Sequence, residues 1–309
     1  MGILVWSAPL PSAPFAEALR RAAPDIPVWT EADTPPPDAV QAVLAWRLKP
    51  GLLSRFPALQ VLCSTGAGVD KLLGVADLPA SLPVTRVVDP VQGAQMAQYA
   101  VACALAHTRE LDRYARQQAA ATWARHPVRE SACCRVGVLG LGAVGQAIAR
   151  AFLALGYPVA GWSRRPGQVA GVTSHAGLRG LHAMLSATDI LVCALPLTAE
   201  TRGLLNGHTL GLLPRGAYVI NLGRGEQLVE AELRSLLDSG HLAGAALDVF
   251  EREPPKPEHW VWQHPRVLAT PHIAAQASVE TVVQQCLEAW QRARDGAPQP
   301  NAVDRRAGY

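Results

Sequence analysis

The chain has 309 residues, of which 49% are hydrophobic and 17% charged. It is therefore long enough for two cores of ordinary size and polar enough to be soluble. Its formal net charge of +3 is spread along the sequence, without the dense Lys/Arg cluster that binding to a nucleic-acid backbone requires. We expect two domains and no nucleic-acid partner.

The amino-terminal segment, residues 1–7, has neither a basic leader nor an apolar stretch of signal-peptide length, and no apolar run approaches the length of a membrane span. The six cysteines lack the paired spacing of a metal site, and most have apolar neighbours, as expected for thiols in a reducing compartment. These features predict a cytoplasmic protein with no membrane contact and no metal ion.

The first hundred residues alternate short apolar runs with helix-like stretches. The apolar runs cover residues 3–6, 40–46, 59–63 and 84–88, and residues 14–22 have a helical pattern. This alternation is typical of βαβ units in a parallel sheet, so it predicts a small α/β domain.

An alanine-rich helical stretch occupies residues 98–129, becomes polar around Trp123 and belongs to neither series of strands. It could be a linker helix or an oligomer contact.

A second and stronger alternation begins at Val136. Its strand-like runs cover residues 136–139, 159–162, 190–194, 217–222, 243–249 and 267–269. Six such runs predict a doubly wound nucleotide-binding sheet. A helical pattern over 274–294 follows without a further strand, and we expect this helix to return to the first domain.

The predicted fold is therefore α/β with two parallel-sheet domains. A Rossmann domain, residues 99–274, is inserted in a flavodoxin-like substrate domain formed by residues 1–98 and 275–309.

A glycine-rich turn follows the first strand of the second series. It consists of Gly140, Leu141, Gly142, Ala143, Val144 and Gly145. In such a turn the first glycine permits the tight bend, the second allows close approach of a pyrophosphate, and the third packs the helix on the strand. The turn predicts a dinucleotide site, although a Rossmann domain that has lost its cofactor would look similar.

The end of the second strand in this series indicates which dinucleotide binds. Ser163 follows Trp162 where an NAD enzyme usually has a ribose-binding Asp or Glu, and Arg164 and Arg165 come next. Guanidinium groups pair well with a 2′-phosphate. We therefore predict NADPH, with surface charge as the alternative explanation of the two arginines.

Three later strand-like runs each end near a polar residue that suits carbonyl reduction. Arg224 would bind the substrate carboxylate and polarise its carbonyl, His272 would supply a proton, and Glu253 would orient His272. Each residue alone has an ordinary structural explanation, but the ends of parallel strands converge at one cleft. Asp248 also lies at this edge, where it could contact the nicotinamide or satisfy backbone donors.

The chain resembles the D-isomer-specific 2-hydroxyacid dehydrogenase family over nearly its whole length. The matching motifs are VGVLGLGAVGQAIA from Val136, LPLTAETRGL from Leu195, INLGRGEQLVEAEL from Ile220, and ALDVFEREPP followed by TPHIA. The resemblance implies that Arg224, Glu253 and His272 are the catalytic residues. It also implies that the cofactor is lined by Leu195, Pro196, Leu222, Gly223 and Asp248.

Within this family, the chain is most similar to a subgroup that reduces glyoxylate and hydroxypyruvate with NADPH. The similarity lies in Ala45-Trp46-Arg47, in GAQMAQYAV from Gly93 and in the ending VDRRAGY. It implies that the loop carrying Gly66, Ala67 and Gly68 binds the substrate carboxylate, with Trp46 as a candidate pocket wall. Family members are usually dimers that bury the segment corresponding to residues 101–129.

The sequence therefore predicts an NADPH-dependent reductase of small 2-oxoacids. Two alternatives remain: an NAD-linked dehydrogenase acting on another 2-oxoacid, and a non-catalytic protein that senses dinucleotides.

Overall fold

The computed structural model describes residues 1–8, 10–164, 167–306 and 308. The chain forms two compact units, one comprising Met1–Pro90 and Gln276–Tyr309, the other Val91–Ala275. The first boundary precedes the expected one at 98/99, because residues 90–108 form a single continuous helix and all of it after Pro90 belongs to the second unit.

Unit 1 is built on a parallel five-stranded sheet. The strands are β1 Gly2–Trp6, β2 Val28–Thr30, β3 Val40–Ala45, β4 Val61–Ser64 and β5 Val84–Thr85. Their order in the sheet is β2-β1-β3-β4-β5. β2 was not predicted from the sequence, because three residues are too short to show a period.

The helices of unit 1 are α1 Ala13–Ala22, α2 Asp70–Leu73 and, from the carboxyl-terminal segment, α9 Val279–Arg294. The buried face of α9 packs with β1, β3 and β4 in one apolar cluster. The helix begins later than the predicted 274, because Ser278 caps it by accepting a hydrogen bond from the Thr281 amide at 3.0 Å.

Unit 2 is built on a parallel seven-stranded sheet. The strands are β6 Val136–Leu139, β7 Val159–Ser163, β8 Val172–Ala176, β9 Ile190–Cys193, β10 Ala217–Asn221, β11 Leu242–Leu247 and β12 Val267–Ala269. The sheet order is β12-β11-β10-β9-β6-β7-β8, which places a topological switch point between β6 and β9. The edge strand β8 was not predicted because its sequence, VTSHA, has no apolar alternation.

The helices of unit 2 are α3 Pro90–Thr108, α4 Leu111–Ala119, α5 Ala143–Ala154, α6 Gly177–Leu185, α7 Gly207–Gly211 and α8 Glu230–Asp238. Buried side chains on α3 and α5 share a core with β6, β9 and β10. By contrast, α4 has no buried residue, and Trp123 beyond it is 92% exposed.

The predicted pair of parallel-sheet domains is confirmed. No helix in the described part of the chain is both long and apolar enough to span a bilayer.

Candidate active site and cofactor-binding turn

The turn between β6 and α5 requires glycine at two positions. Gly140 has a φ of +97°, and a Cβ there would lie 2.8 Å from the carbonyl oxygen of Ala194. A Cβ on Gly145 would overlap the carbonyl oxygen of Gly140. The close approach of α5 to β6 therefore depends on these two glycines.

The mouth of this turn fits a pyrophosphate. Gly142 is the N-cap residue of α5, and a Cβ at this position would meet no atom within 4 Å. The open space lies beside Gly142 and Ala143, which are both exposed. The first amides of a helix have no acceptor within the helix, and together with the helix dipole they favour an anionic ligand.

The end of β7 carries no carboxylate where a ribose-binding acid would stand, because Ser163 occupies that position. Trp162 donates its indole N–H to the carbonyl of Gly177 at 2.9 Å. Arg164 Nη1 lies 3.4 Å from Glu200 Oε2, and these side chains are 42% and 70% exposed. Arg165 lies outside the described residues.

Arg224 is held in the tight turn that follows β10. Asn221 at the end of the strand accepts the amide of Gly223 at 3.2 Å and donates to the carbonyl of Arg224 at 3.2 Å. Arg224 Nη1 donates to the carbonyl of Gly223 at 2.9 Å. The turn packs so closely on the Phe250 backbone that a Cβ on Gly225 would overlap it.

Gln227 supports the same turn, although this residue was not predicted from the sequence. Its side chain is fully buried, accepts the Arg224 amide at 2.9 Å, and donates to the carbonyls of Leu195 and Pro196 at 3.0 Å each. The only available signal was a polar residue beside an apolar pair, a pattern that also describes many exposed positions.

Glu253 and His272 form a hydrogen-bonded pair. His272 Nδ1 lies 2.9 Å from Glu253 Oε2, and Glu253 Oε1 accepts the amide of Phe250 at 3.1 Å. Burial alone would raise the pKa of Glu253, but His272, the Phe250 amide and the charge of Arg224 outweigh it and lower that pKa. Because the ionised carboxylate of Glu253 can only accept, the proton of this hydrogen bond lies on Nδ1 of His272.

The backbone at His272 is also held by hydrogen bonds to Asp248. Its φ of +56° is left-handed, which is unfavourable for a residue with a Cβ. Asp248, 1% exposed, accepts the amides of Ile273 and Ala274, each at 2.8 Å, and its carbonyl accepts the His272 amide at 2.9 Å. Asp248 therefore satisfies backbone donors, which is one of the two roles expected for it.

Two further residues, Thr270 and Tyr99, join Asp248 in a partly buried chain of hydrogen bonds. Thr270 donates to Asp248 Oδ1 at 2.6 Å, so its lone pair accepts from the Tyr99 hydroxyl at 2.5 Å. Burial raises the pKa of Tyr99 far above its ordinary range, which keeps its hydroxyl protonated as a donor. Neither Tyr99 nor Thr270 was predicted from the sequence as part of the site.

The candidate substrate loop of unit 1 follows β4. Ser64 Oγ accepts the amide of Gly66 at 3.1 Å and donates to the carbonyl of Gly68 at 3.3 Å. A Cβ on Gly66 would lie 2.6 Å from the Trp46 ring, so the indole packs directly on this loop. Ala67 is exposed, and its amide has no acceptor among the residues that the structure describes.

Metal ligation has no candidate in the described ranges, where no group of three His, Cys, Asp or Glu side chains could hold an ion.

Residues 101–274 match the family model described as D-isomer specific 2-hydroxyacid dehydrogenase, NAD binding domain. A glyoxylate/hydroxypyruvate reductase A of Salmonella newport is 37% identical over 316 aligned residues, covering 100% of both chains.

Two solved structures are similar over the whole length. A D-isomer specific 2-hydroxyacid dehydrogenase from Xanthobacter autotrophicus Py2, in complex with NADPH and MES, is 40% identical, with a TM-score of 0.93 and 100% and 99% of the two chains covered. An NADPH-dependent glyoxylate/hydroxypyruvate reductase from Sinorhizobium meliloti, in complex with NADP and sulfate, is 36% identical, with a TM-score of 0.94 and both chains fully covered. The chain belongs to the D-isomer-specific 2-hydroxyacid dehydrogenase family.

Proposed function

We propose that this protein reduces small 2-oxoacids with NADPH, converting glyoxylate to glycolate and hydroxypyruvate to D-glycerate. The observation that carries this proposal is the His272–Glu253 hydrogen bond of 2.9 Å beside the Arg224 turn. The relatives named for this activity, and the relatives solved with NADPH or NADP, support it.

In this reaction the bound cofactor supplies a hydride to the carbonyl carbon, and the carbonyl oxygen must receive a proton. His272 is the proposed general acid and donates from Nε2, since Nδ1 is engaged by Glu253. Glu253 accepts the hydrogen bond from Nδ1 and holds the ring in one orientation. The balance is one 2-oxoacid, one NADPH and one proton giving one hydroxyacid and NADP.

Arg224 is the proposed group that binds the substrate carboxylate and polarises the adjacent carbonyl. A guanidinium suits this role because it offers two parallel N–H donors to a carboxylate. In unit 1, the exposed amide of Ala67 is the better of the two proposed carboxylate donors, since Gly66 already donates to Ser64. Gly68 and Trp46 complete the proposed substrate contacts.

The proposed pyrophosphate site is the turn Gly140–Gly145, and Ser163, Arg164 and Arg165 are the proposed contacts to the 2′-phosphate. The remaining proposed cofactor contacts are Trp162, Leu195, Pro196, Leu222, Gly223 and Asp248. Open space beside Gly142 and the absence of an acid at Ser163 support NADPH here.

We further propose that the protein is a homodimer and that the segment 101–129 forms the contact. The support is that α4 has no buried residue, while Leu111, Trp123 and Val128 are 55%, 92% and 62% exposed. Leu111 and Val128 line the same surface cavity, and contiguous exposed apolar side chains are typical of a protein interface. Sedimentation of the wild-type protein and a Trp123→Glu variant tests it, and a monomeric wild type would contradict it.

The activity is tested by following NADPH oxidation at 340 nm with glyoxylate, hydroxypyruvate, pyruvate and a branched 2-oxoacid. Turnover with either of the first two supports the proposal. Faster turnover with NADH at equal concentration would favour the NAD-linked alternative. Absence of turnover across the panel, with tight NADPH binding, would favour a dinucleotide sensor.

A further inference from the structure

We propose that Gln227 is a positioning residue that locks the Arg224 peptide to the Leu195–Pro196 backbone and so fixes where the Arg224 guanidinium meets the substrate. This inference rests on the proposed function. Gln227 is not one of the proposed contacts to the 2-oxoacid or to NADPH, so it would act through Arg224.

The Gln227 side chain uses its hydrogen-bonding capacity fully. Oε1 accepts the Arg224 amide at 2.9 Å and the Cys193 thiol at 3.5 Å. Nε2 donates to the carbonyls of Leu195 and Pro196, each at 3.0 Å. These partners fix which end of the amide is oxygen, because an N–H must face an acceptor and a carbonyl must face a donor.

The two donors and two acceptors around Gln227 match a side-chain amide of this length. A carboxylate would accept from the Arg224 amide but would face the two carbonyls without a donor. An apolar side chain would leave the buried amide and both carbonyls unpaired, which is costly in an interior. Gly223 provides the room, since a Cβ there would overlap Gln227 Oε1 and lie 2.9 Å from the carbonyl oxygen of Leu195.

Gln227 holds the Arg224 residue from both sides. Its side chain accepts the Arg224 N–H, and its own backbone N–H donates to the Arg224 carbonyl at 3.2 Å. Because the guanidinium lies at the end of a long side chain, a small rotation at the Arg224 backbone becomes a larger displacement at the charged group. A misplacement of about 1 Å in such a group can cost about 100-fold in rate.

The test compares kcat/KM for glyoxylate at saturating NADPH in four proteins: wild type, Gln227→Met, Arg224→Ala and the double variant. We expect Gln227→Met to lower kcat/KM by about 10-fold to 100-fold and to weaken binding of oxamate, a non-reacting 2-oxoacid analogue, in the NADPH complex. If Gln227 acts through Arg224, the double variant should equal Arg224→Ala, whereas a purely structural defect would lower kcat/KM again. The milder Gln227→Asn keeps an amide too short for all its partners and provides the same test if the Met variant does not fold.

Gln41 provides the matched control, because it is a buried glutamine on β3 whose Oε1 has no partner in the described residues. Gln41→Met should leave oxamate affinity unchanged. Wild-type oxamate affinity and kcat/KM in both Gln227 variants would overturn the role of Gln227 while leaving the proposed function intact. A wild-type protein without turnover would overturn the function and this role together.

Discussion

The ends of β10, β11 and β12 and the end of β7 belong to the same sheet, but they hold their polar residues in different ways. Arg224, Glu253 and His272 are each held by hydrogen bonds to other protein groups, and the supporting Asp248 and Gln227 are 1% and 0% exposed. At the end of β7, the ion pair of Arg164 lies on the surface. We call these regions the chemical end and the recognition end.

The contrast follows from what each end is proposed to do. Transition-state stabilisation depends on groups that need no rearrangement, which favours buried and fully bonded supports. Recognition of an exposed phosphate depends mainly on charge, and exposed charges tolerate movement and are screened by salt. Substitutions at the chemical end should therefore change kcat, while those at the recognition end should change cofactor affinity.

The largest effect is expected from His272→Ala. Removing the general acid should lower kcat by about 10²-fold to 10⁴-fold while NADPH affinity stays nearly unchanged. Stopped-flow turnover and fluorescence titration of NADPH measure the two quantities. His272→Ala with near-normal kcat would show that another group donates the proton. A large loss of NADPH affinity would contradict the expectation that the chemical end affects kcat and the recognition end affects cofactor affinity.

How much of this arrangement could be predicted depended on whether a residue's partners lie close in sequence or are brought together by folding. The turn at Gly140 was predictable because strand, turn and helix follow each other directly. Glu253 and His272 were predictable as neighbours because the ends of parallel strands converge. The contacts of Gln227 with Leu195 and Pro196, 32 and 31 residues away, were not predictable, because they depend on side-chain directions set by packing. The same holds for Tyr99, whose partner lies 171 residues away.

The next largest effect is expected at Thr270, which supports the backbone near His272 without contacting the reacting atoms. Thr270→Val removes the hydroxyl between Tyr99 and Asp248, leaving groups unpaired, and should lower the free energy of unfolding by about 1–3 kcal/mol. Because the left-handed backbone at His272 depends on this region, we also expect kcat to fall about tenfold, a loss of the size seen when transition-state stabilisation drops by 1.4 kcal/mol.

Urea unfolding and kcat measured on the same preparations check both effects. Thr270→Ser keeps the hydroxyl and is the matched control, with near wild-type kcat expected. An unchanged kcat in a destabilised Thr270→Val protein would show that the hydroxyl chain stabilises the fold without positioning His272.

Arg164→Ala tests the recognition end. Loss of a charge-assisted contact to the 2′-phosphate should weaken NADPH binding by about tenfold, since such bonds contribute about 1.5–3 kcal/mol and this one is exposed. NADH lacks the phosphate and should bind with unchanged affinity. Dissociation constants for both cofactors provide the measurement, and equal weakening would mean that Arg164 does not discriminate between them. A fall in kcat at saturating NADPH would contradict the expectation that the recognition end affects cofactor affinity alone.

The smallest effect, in the opposite direction, is expected from Glu200→Gln. Glu200 lies 3.4 Å from the Arg164 guanidinium, so it competes with a 2′-phosphate for the same cation. Exposed ion pairs contribute about 0.2–1 kcal/mol, so removing the carboxylate should tighten NADPH binding by up to about fivefold. The gain should shrink as salt is raised and should vanish in the Arg164→Ala background. Weaker NADPH binding in Glu200→Gln would instead make Glu200 a support that holds Arg164 in place, and the recognition end would then be organised in the same way as the chemical end.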